Sequence, residues 1–269
     1  MKVIFSGSSN SCSYNNKNEY LWNTWKHIVI KNYQLENYTD LAYYGQGNEA
    51  ICTRALLEMH KEANCILFLQ VTPVDKWDWL LPNNMIEKLK NEKHKPVNIM
   101  LEDKYQYWST GNHFPETKKY YQDNYATLDS FVLNTIKHLS LVVSYCKTKG
   151  IPFLIVPDSP IFSMTEKELL ESENRVPHFA PDRLITDLTR TFYDQIKEYV
   201  EPKGIIGHDN PSSPSLWHKK FKHVGPKNHY DYFIEYIKPF ADQYFAFEDK
   251  VADEIEIEQQ AYIKTKSDD

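Results

Sequence analysis

The sequence predicts an α/β fold, a three-layer α/β/α sandwich with a mostly parallel central sheet. Four short apolar segments bounded by turn residues are typical of buried parallel strands: "KVIF", "YTDLAYY", "CILFLQV" and "IPFLIVP". Longer segments with helical spacing separate them. Such alternation of strand and helix is typical of an open sheet that is covered by helices on both faces.

Each connecting helix is predicted from apolar residues that recur every three or four positions. In the first of them, Trp25, Ile28 and Val29 fall on one face. The longest ends at Gly150, a helix stop signal. The predicted helical segments are "EYLWNTWKHIVIKNY", "NEAICTRALLEMHKEA", "YATLDSFVLNTIKHLSLVVSYCKTKG" and "DRLITDLTRTFYDQIKEYV".

Residues 1–247 are predicted to form a single domain, because a chain of 269 residues can bury one large core. The segment of about 77–116 is rich in Trp, Pro, Asn and Lys and interrupts the alternation. We therefore expect an aromatic-rich insertion over the sheet edge. Residues 248–269 form an acidic tail, for which two interpretations stay open: a solvated helix that frays, or a docking arm.

Charge and composition argue against several classes of partner. A formal net charge of −6 argues against a broad phosphate-binding face, so no nucleic-acid partner is expected. No window is apolar for long enough to cross a bilayer, and the start "MKVIFSGSSN" lacks a secretory signal pattern. We therefore expect an intracellular protein with no membrane partner. The four cysteines are widely scattered and are predicted to be free thiols.

No metal and no cofactor is predicted. The segment "GQGN" has neither the full dinucleotide fingerprint nor a P-loop lysine. A late group of histidine and aspartate residues matches no compact ligand spacing. Its members are His208, Asp209, His218, His223 and His229.

Candidate chemistry begins where the first predicted strand ends, in "FSGSSNSCSY". In open α/β sheets the active crevice lies beyond the carboxyl ends of the strands. Gly7 supplies a sharp turn there, and the hydroxyl of Ser9 can point into the crevice as a nucleophile. The alternative is that the serines from Ser6 to Ser11 merely cap the first helix.

Two further segments are predicted to reach the same crevice. In "LAYYGQGNEAI" a strand ends at Gly45, where glycine lets the backbone N–H approach a ligand closely. The alternative there is a tight turn with Asn48 as the helix N-cap. In "FKHVGPKNHYDYF" a loop residue, His223, stands just before a helix that begins with proline. From that position its imidazole can reach Ser9 as a general base.

Taken in this order, the segments resemble the SGNH (GDSL-like) hydrolase superfamily, and more closely its divergent branch common in phage genomes. The resemblance covers the chain from Val3 to about Pro239. Its motifs are Gly7-Ser8-Ser9, Gly45-Gln46-Gly47-Asn48, Val71-Thr72 and His223-Val224-Gly225-Pro226-Lys227-Asn228-His229.

The resemblance implies a fold of the SGNH or flavodoxin-like type and catalysis by a Ser-His arrangement. Ser9 would be the nucleophile and His223 the base. The implied oxyanion hole consists of Gly45, Thr72 and Asn48, together with the backbone N–H of Ser9.

Three positions depart from the family pattern. Ser8 stands where the family has aspartate, and Thr72 replaces an asparagine, although its hydroxyl can still donate one hydrogen bond. The aspartate usually three residues before the histidine falls on Lys220, which cannot accept from an imidazole N–H. Asp209 is the nearest upstream carboxylate and our candidate for that role. A backbone carbonyl could also serve, and Asp209 could be a turn former.

Two functional hypotheses follow from the resemblance. The first is a serine esterase or deacetylase that acts on an acylated small molecule or glycan, with Trp77 and Trp108 of the insertion as substrate contacts. Aromatic side chains are also common in cores and interfaces. The alternative is a catalytically degraded SGNH fold that serves as a phage structural or accessory protein and binds a phage or host protein. Both predict a location in the host cytoplasm or on the virion.

Overall fold

The computed structural model describes residues 1–8, 11, 23–43, 46–62, 64–72, 78–82, 98–101, 105–109, 128–158, 183–200, 204–205 and 224–267. For residues 78–82, 98–101, 105–109, 128–132, 183–190 and 265–267 it describes the backbone alone. The strands are β1 (Lys2–Ser6), β2 (Tyr38–Asp40), β3 (Cys65–Val71), β4 (Asp78–Pro82), β5 (Asn98–Leu101), β6 (Tyr105–Ser109) and β7 (Phe153–Pro157). The helices are α1 (Trp25–Asn32), α2 (Asn48–Lys61), α3 (Leu128–Lys149), α4 (Arg183–Val200), α5 (Pro226–Tyr232), α6 (Lys238–Ala241) and α7 (Ala252–Ser267).

The main sheet is parallel, with the strand order β2-β1-β3-β7. Its strands correspond to the four apolar segments of the sequence, and β1 lies near the middle. Ser6 pairs with Leu69 and Phe5 with Asp40, so the carboxyl ends of β1, β2 and β3 lie at one edge of the sheet. The predicted α/β fold class is confirmed.

Alternate residues of each strand pack on opposite faces of this sheet, as both faces are covered by helices. Ile4 packs with residues of α2, α3 and α4, whereas Val3 and Phe5 pack with residues of α1, α5 and α6. Every residue of β3 is buried. The three layers are therefore helices, sheet and helices.

A second sheet lies within the predicted insertion. It is antiparallel, with the order β4-β6-β5, and β4 contacts α2 of the main domain. Trp79 and Trp108 stand directly opposite each other in the pairing of β4 with β6. The division of the chain into a domain, an insertion and a tail stays a prediction.

The helix ends are set by a few residues. Helix α1 begins at Trp25 with Thr24 as its N-cap, so Ser6, Ser8 and Ser11 do not cap α1. Helix α3 is followed by Gly150, whose φ of +65° is the left-handed conformation that favours glycine.

The carboxyl-terminal helices pack on the α1 face of the sheet. Helix α5 continues through a π-helical segment, Phe233–Ile237, into α6. Helix α7 buries Ile255, Gln259 and Tyr262 and contacts α5. Residues 252–267, within the segment predicted as an acidic tail, thus form a helix that packs against α5. Within the described part of the chain, no helix has the length and apolar character that crossing a membrane requires.

Candidate active site

The candidate site lies at the edge of the main sheet where β1, β2, β3 and β7 end, which we call the carboxyl rim. Buried polar side chains are concentrated there, whereas such residues are usually exposed. They are Ser6, Ser8, Ser11, Gln46, Asn48, Gln70, Thr72 and Asp158, each at most 3% exposed. Buried polar groups are costly unless they are hydrogen-bonded, so their contacts define the rim.

The turn that follows β1 is held at both of its ends by one side chain. The Gln70 Oε1 atom accepts a hydrogen bond from the Ser8 N–H at 2.9 Å and another from the Ser11 hydroxyl. The Ser11 N–H donates to the Ser8 carbonyl at 3.0 Å. Ser9, which lies between these two serines in sequence, is outside the described residues. We call this set of contacts the serine-turn clamp.

Gly7 is required for the clamp by close approach. A Cβ atom there would lie 2.8 Å from both Cβ and Oε1 of Gln70 and 2.5 Å from the Ser11 hydroxyl oxygen. Any larger residue would therefore push the turn away from β3. Glycine is thus required at position 7 by close approach, and its role in a sharp turn stays a prediction.

Hydrogen bonds at the rim also join the start of α2 to the end of β3. Asn48 Oδ1 accepts from the Thr72 N–H at 2.9 Å and from its hydroxyl at 3.3 Å, while Nδ2 donates to the Thr72 carbonyl at 2.8 Å. Nδ2 also donates to the hydroxyl of Thr135 at 3.4 Å. We call these contacts the Asn48–Thr72 latch. The N-cap of α2 is Gly47, so the interpretation of Asn48 as the N-cap is wrong.

The chain after β2 runs beside the serine turn. The Leu41 N–H donates to the Phe5 carbonyl at 2.7 Å, and the Tyr43 N–H donates to the Gly7 carbonyl at 3.0 Å. The parallel pairing therefore extends beyond the end of β2 to the level of Gly7. Gly45 follows two residues later in sequence and lies outside the described residues.

Residues of helix α7 contact both the segment before α1 and the start of α5. Glu258 accepts from the Asn23 N–H at 2.9 Å, and Thr24 donates to the Ser11 carbonyl at 3.3 Å. The neighbouring Gln259 accepts from the Lys227 N–H at 3.2 Å. A chain of contacts thus connects the serine turn with the start of α5.

Gly225, two residues after His223, packs against the same helix α7. A Cβ atom on it would lie 2.8 Å from the Tyr262 ring. Val224 is fully buried in the core on the α1 face. The chain is therefore held by packing at Val224 and Gly225, immediately after the candidate base His223.

Of the predicted site residues, the structure describes the side chains of Asn48 and Thr72 and brings them into contact. Trp108 lies on β6, where the backbone alone is described. The remaining predicted residues lie outside the described residues. They are Ser9, Gly45, Trp77, Asp209 and His223.

Sequence reasoning missed two residues at the rim. Gln70 is the single polar residue of the segment "CILFLQV", and that interruption of an apolar strand was an available signal. Asp158 directly follows β7, is buried, and donates its N–H to the Val71 carbonyl at 2.8 Å. Burial raises the pKa of the Tyr232 phenol on α5, and the charges of Tyr236 and Asp158 raise it further. The Asp158 carboxylate at the rim therefore lies close enough to α5 to affect the pKa of Tyr232.

Titratable groups near the rim are shifted mainly by burial. Burial and the neighbouring charge of Lys26 lower the pKa of His27 to about 4, so its imidazole is neutral at pH 7. Its Nδ1 atom lies 3.1 Å from the Thr24 hydroxyl oxygen. Among the side chains that the structure describes, no group of three or more His, Cys, Asp or Glu is arranged to hold a metal ion.

No protein-family model and no curated protein matches this chain. Solved structures overlap with it, among them the following two. One is a psychrotrophic esterase, EstA, from Pseudoalteromonas sp., inhibited by monoethylphosphonate, at 10% identity and a TM-score of 0.41 over 90% of this chain and 98% of that one. The other is a protein from Lactobacillus plantarum, at 11% identity and a TM-score of 0.42 over 91% and 98%. Likeness at this level does not establish a function.

Proposed function

We propose that this protein is a serine hydrolase of the SGNH type, an esterase or deacetylase that cleaves an acyl ester. Ser9 attacks the ester carbonyl carbon while His223 accepts the proton of the hydroxyl. The alcohol leaves with a proton from His223, and water then releases the acyl group from Ser9 in the reverse sequence of proton transfers. Gly45 N–H and Ser9 N–H are the proposed oxyanion donors, and the Thr72 hydroxyl joins them when it gives up its hydrogen bond to Asn48 Oδ1.

The observation that carries the proposal is the serine-turn clamp. It fixes a tight turn on both sides of Ser9 at the carboxyl end of a central parallel strand. That is the place where open α/β sheets form their active crevices. A turn held through two donors by a fully buried amide supports the role of nucleophile turn that we propose for it.

Two features of the surroundings support the proposal. The Asn48–Thr72 latch gives Thr72 a fixed position at the same rim. The contacts through α7 hold the start of α5, which follows His223, in a fixed relation to the serine turn. Asp209 is our candidate for the carboxylate that orients the imidazole, because Lys220 occupies the position usual in the family.

We further propose an acylated glycan as the substrate, with Trp77 and Trp108 as sugar contacts. Support comes from β6, where Trp108 stands in register with a second tryptophan, Trp79, because directly opposed residues of an antiparallel pair share a face. Sugar faces stack on such aromatic surfaces. The motif set also favours a phage protein that acts in the host cytoplasm or on the virion.

Hydrolysis of p-nitrophenyl acetate by wild type and Ser9→Ala tests the proposed activity. We expect Ser9→Ala to fall to the rate of buffer, since the reaction loses its nucleophile. Ser144→Ala is the matched control, because Ser144 is exposed on α3, and it should keep the wild-type rate. Equal rates in wild type and Ser9→Ala would contradict the proposal and favour the non-catalytic phage protein.

Release of acetate from an acetylated glycan tests the substrate class. Trp108→Ala should raise KM for the glycan several-fold while KM for p-nitrophenyl acetate stays unchanged, because the small ester has no sugar to stack. An equal rise in KM for the glycan and for p-nitrophenyl acetate would contradict a sugar-binding role of Trp108.

A further inference from the structure

Gln70 occupies a position in β3 where an apolar residue would be expected. Its side chain is completely buried, and the other residues of β3 are Cys, Ile, Leu, Phe and Val. Because Ser6 pairs with Leu69, Gln70 stands one residue further along, beside Gly7. Its polar group is therefore enclosed at the point where the serine turn leaves β1.

The hydrogen bonds determine which end of the Gln70 amide faces the turn. A backbone N–H can only donate, so the atom 2.9 Å from the Ser8 nitrogen must be the amide oxygen. The same oxygen accepts from the Ser11 hydroxyl. The Nε2 atom has no hydrogen-bond partner among the described residues. Within the described part of the chain, the side-chain amide of Gln70 thus acts solely as a hydrogen-bond acceptor.

The two donors flank the candidate nucleophile in sequence. Ser8 precedes Ser9 directly, and Ser11 follows it by two residues. The turn is closed on itself by the bond from the Ser11 N–H to the Ser8 carbonyl. One acceptor on a central strand therefore holds both ends of the turn.

We propose that Gln70 is a positioning residue of the catalytic serine, acting through Ser8 and Ser11. This role rests on the proposed function, because it has a catalytic meaning only if Ser9 is the nucleophile. Reaction rates are very sensitive to the placement of the nucleophile, and a displacement of about 1 Å can cost about 10²-fold. Gln70 holds that placement without touching the substrate.

Gln70→Met and Gln70→Glu test the role in p-nitrophenyl acetate hydrolysis. Methionine has a similar shape and no strong acceptor, so kcat should fall roughly 10²-fold with little change in KM. Glutamate keeps an oxygen for both donors, so Gln70→Glu should retain kcat within about tenfold of wild type. A loss caused by misfolding alone would not be rescued by Gln70→Glu, which places a carboxyl group in the core.

Asn32→Leu is the matched control for general destabilisation. Asn32 is also a fully buried amide whose oxygen accepts one backbone N–H, from Lys250 at 2.9 Å. It lies at the end of α1, away from the rim, since α1 begins next to Ser11. Asn32→Leu should lower the melting temperature as much as Gln70→Met does and leave kcat unchanged.

Amide hydrogen exchange of the Ser8–Ser11 segment separates the two proposals. Gln70→Met should accelerate exchange of these amides at least tenfold, because the Ser8 N–H loses its acceptor. If wild type shows no hydrolysis that depends on Ser9, the proposed function fails even when exchange accelerates. If wild type hydrolyses p-nitrophenyl acetate but Gln70→Met keeps the wild-type kcat, the role of Gln70 is overturned while the proposed function stands. The same conclusion follows if Asn32→Leu loses as much kcat as Gln70→Met.

Discussion

The two ends of the main sheet differ in the buried polar groups that hold them, although each carries a lysine–carboxylate ion pair: Lys26–Asp40 at the carboxyl rim and Lys2–Glu58 at the other end. At the carboxyl rim, buried amides and hydroxyls form the serine-turn clamp and the Asn48–Thr72 latch. At the opposite end, where β1 begins, a partly exposed ion pair joins Lys2 to Glu58 at 2.7 Å. Burial of polar groups costs free energy that an exposed ion pair avoids. The protein bears this cost at the rim where parallel sheets bind their substrates.

Breaking the latch and breaking the ion pair should have unequal effects on the free energy of unfolding. Asn48→Leu removes the acceptor of the buried Thr72 N–H and should destabilise by about 2–3 kcal/mol. Lys2→Met removes an ion pair near the surface and should cost less than about 1 kcal/mol. Urea unfolding of both variants measures the difference. Equal losses would contradict the contrast between the two ends.

Lowering the pH should destabilise the same two regions in different pH ranges. His27, in the first turn of α1 near the carboxyl rim, has its pKa lowered to about 4 by burial and by the charge of Lys26. The unfolded chain takes up this proton nearer the ordinary value of 6.5, so it binds more protons than the native state between these values. Stability therefore falls as pH decreases from 6.5 to 4, by at most about 1.4 kcal/mol per pH unit. His27→Gln should flatten the curve of melting temperature against pH in that interval.

Glu58 titrates in the same sense as His27 but at lower pH, because its native pKa is also lowered, from an ordinary value of 4.5. The hydrogen bond from Lys2 lowers the pKa of the Glu58 carboxyl, so its stabilisation is complete above 4.5 and is lost as pH falls through the lowered native value. Lys2→Met should accordingly match wild type in the most acid solutions and differ from it at neutral pH. A loss in Lys2→Met that spans pH 6.5 to 4, as predicted for His27, would contradict this account.

Much of the fold was predictable because local pattern decides it. Short apolar segments bounded by turn residues predicted β1, β3 and β7, and the glycine at position 150 predicted the end of α3. The three-layer architecture followed, since the alternation of strand and helix leaves few other arrangements. Helix α7 was harder, because Ile255 is buried while Ile257, two residues later, is 71% exposed. Its docking depends on contacts with α5 and not on a clear apolar stripe.

The candidate site was predictable in part. Turn residues at strand ends pointed to Gly7 and Asn48, and the family resemblance added Thr72. The structure places all three at the carboxyl rim. The partnership between Asn48 and Thr72 joins positions 24 residues apart and depends on how α2 packs on β3. Gln70 was missed for the same reason. Its partner, the Ser8 N–H, lies 62 residues away, and a backbone donor leaves no signal in a sequence.

Covalent labelling of the serine by a fluorophosphonate tests the central claim most directly. Attack by the Ser9 hydroxyl oxygen on phosphorus forms an O–P bond and expels fluoride, and peptide mass spectrometry then locates the adduct. The account predicts one adduct, on Ser9, that forms much more slowly in His223→Ala and is absent in Ser9→Ala. An unlabelled wild-type protein, or an adduct on another residue that persists in Ser9→Ala, would contradict it.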